Sequence, residues 1–166
     1  MKKIYFLAII AVMITVGCQQ KDQIESVDLN ATNDAITQIL DEYLDAWNAK
    51  DIDVLTEMVS DDGLFCGSDP SEILDKSGLK KMFVQLFSDT TTNYNYNIDL
   101  RTIKVAENGK TAIAIEHIIM SGWSPKIQMR QTYQIVKTNN KWKIDYIGWG
   151  FLTKNENVEK LNKALE

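Results

Sequence analysis

Residues 111–152 read TAIAIEHIIMSGWSPKIQMRQTYQIVKTNNKWKIDYIGWGFL. Apolar and polar side chains alternate through this stretch with a period of two, the pattern of strands that turn one face to a core and the other to solvent. Two breaks cut it, Ser124-Pro125 and Asn139-Asn140, and both carry turn residues. Upstream, residues 94–105 alternate in the same way and lead to Asn108-Gly109, a pair favoured in tight hairpins. Four strands are therefore expected, over 94–105, 111–123, 126–137 and 141–152, joined in order as an antiparallel meander.

Before this stretch the period is that of helices. Thr32-Asn33-Asp34 offers an N-cap, and Ile36, Ile39, Leu40, Tyr43, Leu44 and Trp47 follow on one face, ending near Lys50. Asp51 can cap a second, short helix that buries Ile52, Leu55, Met58 and Val59 and stops at Asp61-Asp62-Gly63. Leu64-Phe65-Cys66 reads as a short strand, and Gly67-Ser68-Asp69-Pro70 as a turn. Ser77 caps a third helix with Leu79, Met82, Phe83, Leu86 and Phe87 inward. Helices first and a meander after them predict an α+β fold, three helices over a strongly curved antiparallel sheet. Val158, Leu161 and Leu165 add a short helical extension over 155–166.

Composition narrows the function. The chain has 166 residues and a net charge of −5, which argues for one domain and against binding nucleic acid through phosphates. One His and two Cys leave no ligand set for a zinc cluster and no disulfide framework. No phosphate loop or nucleophile elbow is present, so neither a metal nor a cofactor is expected.

Lys2 and Lys3 are followed by an uncharged apolar run from Ile4 to Val16, then by Gly17-Cys18 and a polar segment. This is the pattern of a secretory leader, and the run is shorter than the roughly 20 residues a spanning helix needs. Thr15-Val16-Gly17-Cys18 resembles the lipobox of bacterial lipoproteins. That resemblance implies cleavage before Cys18, lipidation of its thiol, and a place on the bacterial cell envelope, at the periplasmic side or the cell surface. Residues 1–17 would then be leader, 18–31 a tether and 32–154 the folded domain. Cys66 remains, and its neighbours Leu64 and Phe65 suggest a buried, inert thiol.

Four further stretches carry a second likeness: Ala46-Trp47-Asn48-Ala49-Lys50-Asp51-Ile52-Asp53, Gly67-Ser68-Asp69-Pro70-Ser71-Glu72 with Gly78, Arg130-Gln131-Thr132, and Lys141-Trp142-Lys143-Ile144. In order and spacing the chain resembles the SnoaL-like group of the nuclear transport factor 2-like superfamily. The resemblance implies a cone with a pocket between helices and sheet, and a homodimer through the outer sheet face. Members of the group include isomerases, dehydratases and pure binding domains, so the fold leaves the chemistry open. Where many members carry a His-x-His pair in the last strand, this chain has Tyr146 and Gly148.

If the even positions of the strands face the helices, Ala112, Ala114, Glu116, Gln128, Arg130, Thr132, Trp142 and Tyr146 line the concavity. The odd face, with Ile113, Ile115, Ile127, Met129, Tyr133, Ile135, Ile147 and Trp149, would be too apolar to stay wet, and a dimer would cover it. The parity depends on one hairpin. A two-residue Asn139-Asn140 turn would align Tyr133 with Tyr146 and turn Arg130 outward; a three-residue loop from Thr138 keeps Arg130 and Tyr146 on one face, and the family likeness favours the loop.

On that reading Glu116 and Arg130 must pair or bind a ligand, since neither can be buried alone. Glu116 is then a candidate base, with Arg130 and Tyr146 to stabilise an oxyanion; the plainer alternative is a buried ion pair that shapes the cone. His117 has the opposite parity and faces away. The expected pocket lining is Tyr43, Trp47, Phe65, Phe83, Glu116, Arg130, Thr132, Trp142 and Tyr146, with Asp69 and Glu72 in a turn at its mouth. Three functions fit: an anchored binder of a small, partly apolar molecule without catalysis, an isomerase or dehydratase using Glu116, or a protein-interaction module using the outer sheet face.

Overall fold

A computed structural model describes residues 27–166. The expected lipidation site, Cys18, lies outside them. The elements are α1 (Leu29–Ala49), α2 (Ile52–Met58), β1 (Val59–Cys66), β2 (Ile73–Leu74), α3 (Lys76–Ser88), β3 (Asn97–Val105), β4 (Thr111–Ile119), β5 (Met129–Thr138), β6 (Lys141–Phe151) and α4 (Val158–Ala164), with a 3-10 turn at Asn155–Asn157 before α4. Six strands form one open, bent sheet in the order β2-β1-β6-β5-β4-β3, and α1, α2 and α3 cover its concave face. The α+β cone expected from the sequence is what folds. Among the described residues no helix is long and apolar enough to cross a membrane.

Helix starts fall where a carboxylate can take up free backbone N–H groups. Asp28 accepts from the N–H groups of Asn30 and Ala31, each at 3.0 Å, so α1 begins at Leu29 and not at the Thr32-Asn33-Asp34 cap. Asp75, at 2.7 Å from the Gly78 N–H, displaces Ser77 as the cap of α3. Asp51 caps α2 as expected, through the Val54 N–H at 3.1 Å. α1 ends at Lys50, whose left-handed backbone (φ 58°) turns the chain into α2.

β1 is longer than its apolar residues suggest. It runs straight out of α2 through Asp61-Asp62-Gly63 and pairs parallel with β6, Phe65 opposite Ile147. The expected helix stop is therefore a strand, and one parallel pairing joins an otherwise antiparallel sheet. Gly63 has no room for a side chain here: a Cβ would stand 2.8 Å from the Asp145 carbonyl and 2.7 Å from the Phe65 ring.

Two registers decide which side chains enter the cone. After the irregular connection Met120–Gln128, β5 pairs with β4 so that Gln131 lies opposite Glu116 and Tyr133 opposite Ala114. Directly opposed residues share a face, so Met129, Gln131, Tyr133 and Ile135 point inward, and Arg130 and Thr132 point out. Asn139 and Asn140 then make a two-residue turn, both at positive φ (51° and 61°), which matches the twist of a tight hairpin. β6 carries one extra residue, Asp145, between the pairs Ile135–Ile144 and Gln134–Tyr146. This bulge changes the phase of the strand: Ile144 is inward before it, Ile147 and Trp149 after it, and Tyr146 and Gly148 face out.

Candidate functional site

The open end of the cone holds a cavity of about 370 Å³. α1 supplies Trp47, α3 supplies Met82 and Leu86, and the segment before β3 supplies Tyr94. Met120 and Trp123 follow β4; Met129, Trp149 and Phe151 come from β5 and β6; the loop Gly67–Glu72 between β1 and β2 forms part of the rim. The rings stand at angles to one another: Trp47 and Trp149 are 6.5 Å apart between centroids, Trp123 and Phe151 5.5 Å, and Tyr94 and Trp123 6.4 Å. Trp47 Nε1 donates to the Tyr94 carbonyl at 2.9 Å, which fixes the indole and removes its donor from the cavity. Among the described residues, no Lys, Arg, His or Cys lines this space.

The rim loop is held by its own polar groups. Gly67 N–H donates to the Glu72 carbonyl (2.8 Å), Asp69 N–H to Glu72 Oε2 (3.1 Å), and Ser71 N–H to Asp69 Oδ1 (2.8 Å). The Ser71 hydroxyl and N–H hold the Asp69 carboxyl below the usual range, so it is charged and a poor base. A wider hollow of about 830 Å³ lies outside the cone between α2, β1 and α3. Lys76 and Lys80 there are paired with Asp61 (2.7 Å) and Asp53 (2.8 Å), Lys81 also lines it, and among the described residues no aromatic ring does.

Behind Trp149 lies a buried polar cluster. Glu116 is 1 % exposed and bonds through Oε1 to Arg101 Nε at 2.6 Å; Arg101 Nη1 reaches Asp41 at the surface, also at 2.6 Å. Tyr133 donates to Glu116 Oε2 at 3.2 Å. With the Gln131 amide oriented so that both its ends are satisfied, its nitrogen donates to the same oxygen (3.3 Å) and to the Tyr133 hydroxyl, and its oxygen accepts from Trp149 Nε1 at 2.8 Å. Among the described residues, the hydroxyls of Tyr43 and Tyr96 and Nη2 of Arg101 have no hydrogen-bond partner. Burial first, and neighbouring negative charge second, push the hydroxyls of Tyr43, Tyr96 and Tyr133 upward, so all three stay protonated. Burial likewise raises the Glu116 carboxyl, with Arg101 only partly offsetting it.

The expected catalytic set does not assemble. Glu116 faces inward, as its parity required, but its partner is Arg101 and not Arg130. Arg130, Thr132 and Tyr146 do come together, on the opposite, convex side of the sheet, around a hollow of about 300 Å³ floored by Gly148 and Gly150. The cause is the pair of registers described above. Cys66 is half-buried on that same side, where it helps to push the Tyr146 hydroxyl upward behind the main cause, burial; the thiol is not in the core. His117 also lies on the convex face and accepts from Arg130 Nε at 3.4 Å.

Of the expected pocket lining, Trp47 borders the cavity. Tyr43, Phe65 and Phe83 are fully buried packing residues, Phe83 edge-on to Trp47 at 5.7 Å. Trp142 sits elsewhere, lining a separate hollow with Ile39, Val54 and Met58. Asp69 and Glu72 are at the rim, as the turn suggested. The residues the sequence reading missed are Arg101, Gln131, Tyr94, Trp123 and Trp149. Only Trp149 had a usable signal, the change of apolar phase from Trp142 and Ile144 to Ile147 and Trp149. Among the described residues no group of His, Cys, Asp and Glu side chains converges to hold a metal ion.

A family model for the SnoaL-like domain matches residues 36–149. Solved structures share the fold at low identity. An NTF2-like protein of unknown function from Pseudomonas putida KT2440 is 17 % identical, with a TM-score of 0.68 over 77 % of this chain and 92 % of its own. A domain with a cystatin-like fold from Nostoc punctiforme PCC 73102 is 17 % identical, with a TM-score of 0.63 over 80 % and 85 %. An NTF2-like protein from Cytophaga hutchinsonii ATCC 33406 is 16 % identical, with a TM-score of 0.60 over 72 % and 98 %. A search of the curated proteins finds no match.

Proposed function

The chain belongs to the SnoaL-like domain family, and we propose that it is a lipid-anchored protein of the bacterial envelope that binds a small, partly apolar molecule in the cone cavity without transforming it. The observation that carries this reading is that the cavity wall is aromatic and apolar, with the carboxylates Asp69 and Glu72 on its rim loop and the candidate base Glu116 outside it. The cavity is walled largely by aromatic and thioether side chains, whereas Glu116 is buried behind Trp149 and paired with Arg101, which runs on to Asp41 at the surface. A general base needs hydrogen-bond reach of its substrate, and Glu116 has its oxygens occupied by Arg101, Tyr133 and Gln131. A cavity of this size and lining suits a small organic ligand. The anchor rests on the lipobox-like Thr15-Val16-Gly17-Cys18.

Native mass spectrometry of the full chain, extracted gently from its host, tests both parts. The expected result is a lipid mass on Cys18 and a retained small molecule of unchanged mass after incubation, lost in Trp149→Ala. A chain that carries no adduct and whose tryptophan emission ignores apolar probes would remove the binding reading. Release of product from an added compound, abolished in Glu116→Gln, would favour the enzyme reading instead.

A further inference from the structure

We infer that the cavity ligand is an organic cation, a substituted ammonium carried on an apolar body. This rests on the binding reading above and names the chemistry of that same site. The faces of aromatic rings are negative and their edges positive, so a set of rings placed around one space attracts positive charge. Trp47, Tyr94, Trp123, Trp149 and Phe151 form such a set. The indole N–H groups of Trp47 and Trp149 are spent on the Tyr94 carbonyl and the Gln131 amide, so neither ring offers the cavity a donor.

The formal charges agree with the rings. Among the described residues, Asp69 and Glu72 are the charged ones that line the cavity, and both are acidic. Asp69 uses Oδ1 and Glu72 uses Oε2 to hold the loop, which leaves Oδ2 and Oε1 to accept from a ligand. A third carboxylate, Asp89, accepts from the Tyr94 hydroxyl at 3.2 Å and so adds negative charge behind that ring. An anion would meet two carboxylates and, among the described lining residues, no cation, and would leave its charge unpaired at an apolar wall. A neutral molecule would fill the space but leave the two carboxylate oxygens to water. The Met82, Met120 and Met129 thioethers can adapt to the apolar body.

Titration of the full chain with three probes of one shape class tests this, read by tryptophan emission. The probes are phenyltrimethylammonium, its neutral carbon isostere tert-butylbenzene, and benzenesulfonate. The cation should bind about ten-fold or more tightly than the isostere, and the sulfonate should not bind. The double variant Asp69→Asn, Glu72→Gln should lose about ten-fold in cation affinity and leave the isostere unchanged. Should that variant misfold, added salt on the wild type gives the same readout, since cation affinity must fall with ionic strength. If the isostere binds as tightly as the cation, or the sulfonate binds, the inference fails while the binding reading stands. If no probe binds, both fall.

Discussion

Glu116 holds a charge where water does not reach, and one cation makes that tolerable. Breaking a buried pair from one side leaves the other charge uncompensated, so Arg101→Met should cost about 3–5 kcal/mol in urea denaturation at neutral pH. Adding Glu116→Gln to that variant should recover part of the loss, because both charges are then gone. The pair also sets a slope with pH. Burial raises the folded-state carboxyl above its unfolded value, so between the two the folded chain keeps a proton that the unfolded chain has released. The contribution of Glu116 is therefore greatest in acid and declines as pH rises from about 4.3 through the folded value. Wild type should lose stability relative to Glu116→Gln over that window; a gain with rising pH would show that Arg101 outweighs burial. The need of Glu116 for a cation was legible from alternation on β4. Its identity was not, because a bulge at Asp99 in β3 sets the face of Arg101, and bulges leave little trace in a short strand.

The β5–β6 hairpin is the element on which the site turns. Asn139 and Asn140 both occupy left-handed backbone, which Asn tolerates and Gly prefers. Asn140→Gly should therefore stabilise the domain by about 0.5–1 kcal/mol and Asn140→Ala destabilise it by about as much, both read from thermal melts. Asp145 matters more than its exposure implies. It lets Ile144 and Ile147, three positions apart, share the inner face; deleting it should restore plain alternation with Ile144, Ile147 and Trp149 still inward and Tyr146 outward, so the near-ultraviolet signal of the indoles should persist. The strands and the turn were readable from period and residue type. The length of the turn was not, since Thr138-Asn139-Asn140 fits two or three loop residues equally well. The long connection Met120–Gln128 hid the β4–β5 register in the same way. The first half of β1 escaped notice because Asp61 and Asp62 sit in a strand only by virtue of its parallel pairing with β6.

At the scale of the molecule, the order of the main helices and strands followed from the sequence through periodicity, which is a property of whole segments and survives a local slip, and the cone followed from it through the family resemblance. The composition of the convex face did not. Met129, Tyr133, Ile135, Ile147 and Trp149, expected there, are in the core. The convex face instead mixes Leu64, Leu100 and Ile113, each close to half exposed, with Arg130, Thr132, His117 and Tyr146. Leu64, Tyr146, Gln134 and Ile113 lie in one row across β1, β6, β5 and β4. We propose that two copies pair through this row. Such a surface is less apolar than an obligate dimer core, so the association should be reversible. Sedimentation velocity from about 1 to 100 μM should show a monomer–dimer equilibrium. Ile113→Glu, at an exposed strand position, should move it to monomer without changing the melting temperature of the monomer. A wild-type chain that sediments as monomer across the range would refute the pairing and leave this face to a different protein.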